Sequence, residues 1–212
     1  MKHKALILLL FAKSLLFGIT FDFEKYSVGK LPLGWMPVST GNGVTKWQVL
    51  KDQNNSVLAQ VSNENPGSHF NLVINNEIAV KNIDLSVKIR GVSGRKDQGG
   101  GLIWRYQNPQ NYYVLRANPL ENNVVLYKVE DGIRTDLPLL GKGLTYGVDV
   151  PVMSNGWHTL RVTVKEVLFT VYLDNKELFK VRDGTFEDSG NIGLWTKSDA
   201  VSYFDDFIVN PY

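Results

Sequence analysis

Apolar and polar residues alternate one by one through much of this chain. In Ile83-Asp84-Leu85-Ser86-Val87-Lys88-Ile89-Arg90 the odd positions are apolar and the even ones polar. Successive side chains on an extended strand point to opposite faces, so this octet predicts a strand with one buried and one wet face. Residues 160–165 repeat the pattern. Residues 169–173 do so up to the turn pair Asp174-Asn175, after which 177–181 reads as the returning strand. Shorter strands are predicted at 47–50, 57–62, 102–106, 112–117, 124–129, 192–196 and 203–209. Turn formers separate them, among them Gly41-Asn42-Gly43, Asn65-Pro66-Gly67, Asp131-Gly132 and Ser154-Asn155-Gly156. Past the N-terminal stretch no segment keeps a 3.6-residue period over three turns. About a dozen short strands joined by tight turns predict an all-β fold, an antiparallel jelly-roll sandwich of two curved sheets. Residues 137–151 are the longest weakly patterned stretch and read as a surface loop or an irregular edge.

The N-terminal stretch follows another rule. Lys2, His3 and Lys4 precede an apolar run from Ala5 to Phe17 that Lys13 interrupts and Gly18 ends. This is the shape of a secretory signal peptide over residues 1–19, cut near Gly18 to Thr20, with a single domain over 20–212. The run is too short to span a membrane. Export to a bacterial periplasm or to the exterior is the expected location. The leader also carries the chain's positive charge. Removing Lys2, Lys4 and Lys13 from the 23 basic residues, against 21 acidic ones, turns a net +2 into −1. No basic footprint for nucleic acid remains. There is no cysteine, which excludes disulfides, thiolate metal sites and a cysteine nucleophile.

Four further chemistries find no support in the residue spacing. Retaining glycosidases on a sandwich strand need carboxylates at spacing two, which share one face. Only Asp22 and Glu24 stand so, beside the leader. His69 and His158 have no partners at ligand spacing, so neither a zinc motif nor a serine triad is indicated. The run Gly99-Gly100-Gly101 lacks the lysine and helix of a phosphate loop and predicts a bulge or a close backbone approach.

Four segments carry a resemblance. They are Phe21-Asp22-Phe23-Glu24 with Leu31-Pro32-Leu33-Gly34-Trp35; Gly99 to Tyr106 with Asn111-Tyr112-Tyr113; Arg116 to Asn123 leading into Leu126-Tyr127-Lys128; and Gly193 to Asp199 with Phe204-Asp205-Asp206-Phe207. On these the chain resembles the concanavalin-like, laminin-G-type domains known as 3-keto-disaccharide hydrolases, also described as family 16 glycoside hydrolase-like. The resemblance implies a jelly-roll whose concave face binds carbohydrate. It also implies cleavage of glycosides that carry a 3-keto sugar.

Within that frame the polar residues of the middle segments are the candidate site. Arg105 lies between Trp104 and Tyr106, so it faces away from the core if those aromatics face it. Arg116, Asn118, Asn123 and Lys197 add donors suited to hydroxyl and keto oxygens. A 3-keto sugar can lose its substituent by elimination after proton loss at C2, and Glu121 is the candidate base. The alternative is that Arg116 and Glu121 pair to fix their turn. Trp104 and Trp157 are assigned to the core, and Trp195 to an exposed platform for a sugar ring. A structural calcium would join Glu24 (or Asp22) to Asp205 or Asp206 at the two ends of the domain. Two functions stand open: a carbohydrate-active domain with Glu121 as base, and a non-catalytic laminin-G-like module binding a protein or cell-surface polymer. The oligomeric state is not indicated.

Overall fold

The computed structural model describes residues 18–212. The leader expected at 1–19 therefore lies outside the described residues but for Gly18 and Ile19. Sixteen strands follow one another: β1 (Ile19–Phe21), β2 (Trp35–Thr40), β3 (Trp47–Asp52), β4 (Asn55–Gln60), β5 (Phe70–Val80), β6 (Ile83–Ser93), β7 (Gly100–Asn108) and β8 (Asn111–Asn118). They continue with β9 (Asn123–Glu130), β10 (Ile133–Asp136), β11 (Val148–Asp149), β12 (His158–Lys165), β13 (Leu168–Leu173), β14 (Lys176–Arg182), β15 (Gly190–Lys197) and β16 (Val201–Pro211). They form two eight-stranded antiparallel sheets. The first runs β14-β13-β12-β6-β16-β4-β3 with β1 on β16; the second runs β10-β9-β8-β7-β15-β5-β2 with β11 on β9. Among the described residues no helix is long and apolar enough to cross a membrane.

Every strand read from the alternation is present. The two sheets use the pattern differently. In the first, β6 and β12 alternate buried with partly exposed residues, and their apolar faces (Leu85, Val87, Ile89, Leu160, Val162, Val164) form the core against the second sheet. In the second, β7, β8, β9 and β15 are buried on both faces. Their inner residues, such as Leu102, Trp104, Leu115, Leu126 and Leu194, join the same core. Their outer residues form a second apolar cluster. The glycine run fits here by close approach: a Cβ on Gly101 would strike the Leu115 carbonyl oxygen, and one on Gly100 would meet Ile89 and Phe204 at 2.6 and 2.7 Å.

Strand β5 escaped the pattern because Asn71, Asn75 and Asn76 interrupt its apolar run. Asn71 is fully buried, yet its amide donates to Thr196 Oγ1 and the Ser198 carbonyl, while its oxygen accepts from Asn65. A buried amide so satisfied costs little. His69 and His158 are likewise structural. His69 Nδ1 accepts from the Gly43 N–H, and His158 lies between the Met153 N–H and Asp174, at 2.8 and 2.7 Å. Trp157, expected in the core, is instead partly exposed, with the Arg90 guanidinium 5.0 Å above its ring. It precedes β12, before the alternation begins.

The carboxylates expected to hold calcium at the termini have protein partners. Glu24 accepts from the Ser56 N–H and hydroxyl and pairs with Lys51. Asp205 accepts from the Asn55 amide, and Asp206 pairs with Lys88 at 2.6 Å. Each carboxylate is engaged by a donor or cation, and among the described residues no group of three acidic or histidine ligands converges. A hard cation needs six to eight oxygens turned toward it.

Candidate functional site

The outer face of the second sheet is curved. Strands β9 and β5 lie four strand spacings apart, about 19 Å on a flat sheet. Yet the Arg134 guanidinium, from edge strand β10, lies 4.4 Å from the Tyr127 ring centroid on β9 and 5.4 Å from that of Phe70 on β5. The same group is 5.7 Å from the Trp195 ring on β15. Only a face that wraps inward brings these rings to one cation. Beneath it Leu72, Ile103, Tyr112 and Val114 are wholly buried.

A groove of about 710 Å³ opens on this face. Phe70 and Val129 give it an apolar wall, and Ser39, Thr40, Ser68 and Gln110 bring hydroxyls and an amide. Arg134 and Lys197 are its charged lining residues, and no carboxylate lines it. Burial lowers the Lys197 pKa first; the nearby Arg134 and Arg116 charges lower it further, and Asp97 and Glu121 counteract them in part.

Beside the groove, at the β8–β9 turn, lies a polar cluster. Arg116 is fully buried and donates to both Glu121 oxygens at 2.9 Å and to Asn123 Oδ1 at 2.6 Å. Asn118 caps the turn, accepting from the Leu120 N–H and donating to Glu121 Oε1 at 3.1 Å. Asp97 is buried and accepts from the Gly99 N–H at 2.8 Å. The two carboxyls are driven apart. Burial pushes Asp97 up. Burial also pushes Glu121 up, but its hydrogen bonds and charge attraction to Arg116 outweigh that and hold it below the usual range. A carboxylate so held is a weak base at neutral pH.

Asp199 fixes the segment that carries Asp97. It is nearly buried, and its oxygens accept from the N–H groups of Arg95, Lys96 and Asp97 at 2.9 to 3.2 Å. Asp199→Ala leaves these donors unpaired and is expected to cost about 2–4 kcal/mol. Urea unfolding checks this; a loss under about 1 kcal/mol would mean water replaces the carboxylate.

The structure gathers Arg116, Asn118, Glu121 and Asn123 into that cluster and puts Lys197 in the groove. Two expected residues go elsewhere. Arg105 does not reach the curved face. The β7–β8 register shifts between Trp104 and Asn108, and Arg105 takes a left-handed backbone (φ 48°), so strict alternation fails there. Its guanidinium turns inward, over Phe169, and donates to the carbonyls of Lys81, Phe186 and Glu166. Trp195 lies on the curved face but is not an exposed platform. It is fully buried, packed by Phe70 at 5.4 Å and overlain by Arg134. Sequence reasoning missed Phe70, Arg134 and Asp97. Arg134 gave one signal, its place just after the turn pair Asp131-Gly132, where a returning strand begins.

No family model matches this chain, and no curated protein sequence does. Solved structures do. A carbohydrate-binding module, CBM66 from Bacillus subtilis, aligns with a TM-score of 0.65 at 18% identity, over 84% of this chain and 95% of that one. A cellulose-induced protein, Cip1, aligns with a TM-score of 0.64 at 12% identity, over 92% and 97%. A family 16 endo-glucanase from Bacteroides ovatus aligns with a TM-score of 0.61 at 12% identity, over 90% and 99%. The chain has their fold. At such identities the likeness is one of architecture, a concanavalin-like jelly-roll, and the groove must be read from this chain's own residues.

Proposed function

We propose that this chain is a carbohydrate-binding domain that holds a glycan in the groove on the curved face of its second sheet and does not cleave it. The observation that carries this reading is the lining: an aromatic wall at Phe70 beside hydroxyl, amide, ammonium and guanidinium groups, with no carboxylate. Sugars present apolar C–H faces and directed hydroxyls, which such a mixture matches. The volume lies within the usual range for ligand sites, about 300–1,000 Å³. Hydrolysis of the common kind needs two carboxyls flanking the bond. Glu121 is instead committed to Arg116 and acts as a positioning residue for the turn. This favours binding over cleavage of a 3-keto glycoside. The solved structures of like fold, one of them named a carbohydrate-binding module, support the same reading. So does the exported location expected from the N-terminal pattern.

A protein-binding module would present a continuous apolar patch. The most exposed large apolar residues, Leu33, Val44, Ile133, Leu144 and Met153, sit on separate loops and an edge strand. That favours the glycan.

Gly67 supplies the test. It lines the groove, and a Cβ added there meets no atom within 4 Å. Gly67→Leu should therefore fold normally and obstruct the groove. Calorimetric titration with a panel of plant and microbial glycans is expected to show saturable binding that this change weakens about tenfold or more. Equal binding by both proteins would move the site off the groove.

A further inference from the structure

The Arg134 and Lys197 side chains bear on the same groove, and among the described residues neither side chain makes an ion pair or a hydrogen bond. Other basic side chains near acids do pair: Arg90 with Asp52, Arg116 with Glu121, Arg161 with Asp84, Lys128 with Glu130. Arg134 is moreover partly buried. Its Nη1 is out of reach of solvent and has no partner, while three aromatic rings surround the guanidinium. The rings hold it in place by cation–π attraction but accept no N–H in the manner of an oxygen. Keeping two like charges close together and partly desolvated is unfavourable without an anion to offset them.

The nearby acids Asp97 and Glu121 offset the charge on Lys197 only in part, and neither pairs with it. Glu121 is held by Arg116, Asn118 and Asn123. Asp97 is buried against Gly99, and Asp136, on the same strand as Arg134, forms no ion pair with it. None of them lines the groove.

We propose that the groove selects an anionic glycan, with an oxyanion of the sugar received between the Arg134 guanidinium and the Lys197 ammonium. This rests on the carbohydrate-binding reading and names the class of glycan. A planar guanidinium matches the paired oxygens of a carboxylate or a sulfate, and the ammonium adds a mobile point charge. Phe70, beside Arg134, then meets an apolar face of the same sugar or its neighbour.

The test is calorimetric titration of the full domain with three oligosaccharides of matched length: an oligogalacturonate, a sulfated galactan and a neutral galactan. At least one anionic oligosaccharide is expected to bind about tenfold or more tightly than the neutral one. That affinity should fall as salt is raised and fall again in Lys197→Gln and in Arg134→Gln, each checked for folding by its unfolding midpoint. Preference for the uronate alone assigns a carboxylate, and for the sulfated galactan alone a sulfate; either supports the proposal. Neutral galactan bound as tightly as both anionic forms, with no effect of Lys197→Gln, would overturn the charge assignment and leave the carbohydrate reading standing. No binding of any of the three, nor of the wider glycan panel, would overturn both.

Discussion

Arg105→Ala is expected to cost the fold about 3–5 kcal/mol, the largest loss from any single substitution considered for this protein. The wild-type guanidinium is fully buried and donates at 3.1, 2.7 and 2.6 Å to the carbonyls of Lys81, Phe186 and Glu166. Those carbonyls belong to the β5–β6 turn, the segment between β14 and β15, and the β12–β13 turn. One side chain from β7 thus ties both sheets together at one end of the sandwich. Alanine removes the charge-assisted bonds, empties the buried space of the guanidinium and leaves three partly buried carbonyls without their donor. Arg105→Lys restores the charge but not the planar fork, so it should recover only part of the loss. Glycan affinity should persist in whatever protein remains folded, since Arg105 is far from the curved face in its contacts. Denaturant unfolding beside the binding assay separates the two effects. A stability loss under about 1 kcal/mol would show that the three carbonyls find other partners.

The second large effect is expected at Arg116. Its guanidinium is buried, grips both oxygens of Glu121 and stands 5.7 Å over the Tyr127 ring. Arg116→Ala should cost about 2–4 kcal/mol, less than a fully buried pair because Glu121 is 37% exposed. The pair also has a pH signature. The folded-state pKa of Glu121 lies below the ordinary value, so its contribution is fully present above the unfolded carboxyl range, about pH 4–5, and is lost as pH falls through the folded value. The stability gap between wild type and Glu121→Gln should be constant near neutrality and close in acid. A gap that is unchanged at pH 3 would mean that the carboxylate's charge contributes nothing to it.

The strands were legible because burial on one face writes a period of two into the chain. Ile83 to Arg90 and Leu160 to Lys165 show it plainly, and both form strands of the first sheet. Strand β5 was hidden by two buried asparagines, Asn71 bonded to the distant Thr196 and Ser198 and Asn75 to the N–H groups of Glu77 and Ile78, and β10 by its length of four residues. The site was legible in part for the same reason. Arg116, Asn118, Glu121 and Asn123 are neighbours along one hairpin, so their meeting needs only a local turn. Arg105 went astray at a bulge, which the period cannot register, and Trp195 went astray because its strand is buried on both faces.

The sequence by itself determined the all-β class, most of the strands and the hairpin cluster around Arg116, because these depend on side-chain alternation and on contacts a few residues apart. The tertiary structure decided the rest: the curved face, the burial of Trp195, and the groove shared by Phe70, Arg134 and Lys197. Those residues lie on β5, β10 and β15, and they meet only because the strand order of the second sheet and its curvature fold one edge over toward the other. Strand order is set by the burial of whole sheets against each other, a sum over the entire core, and no local pattern carries it.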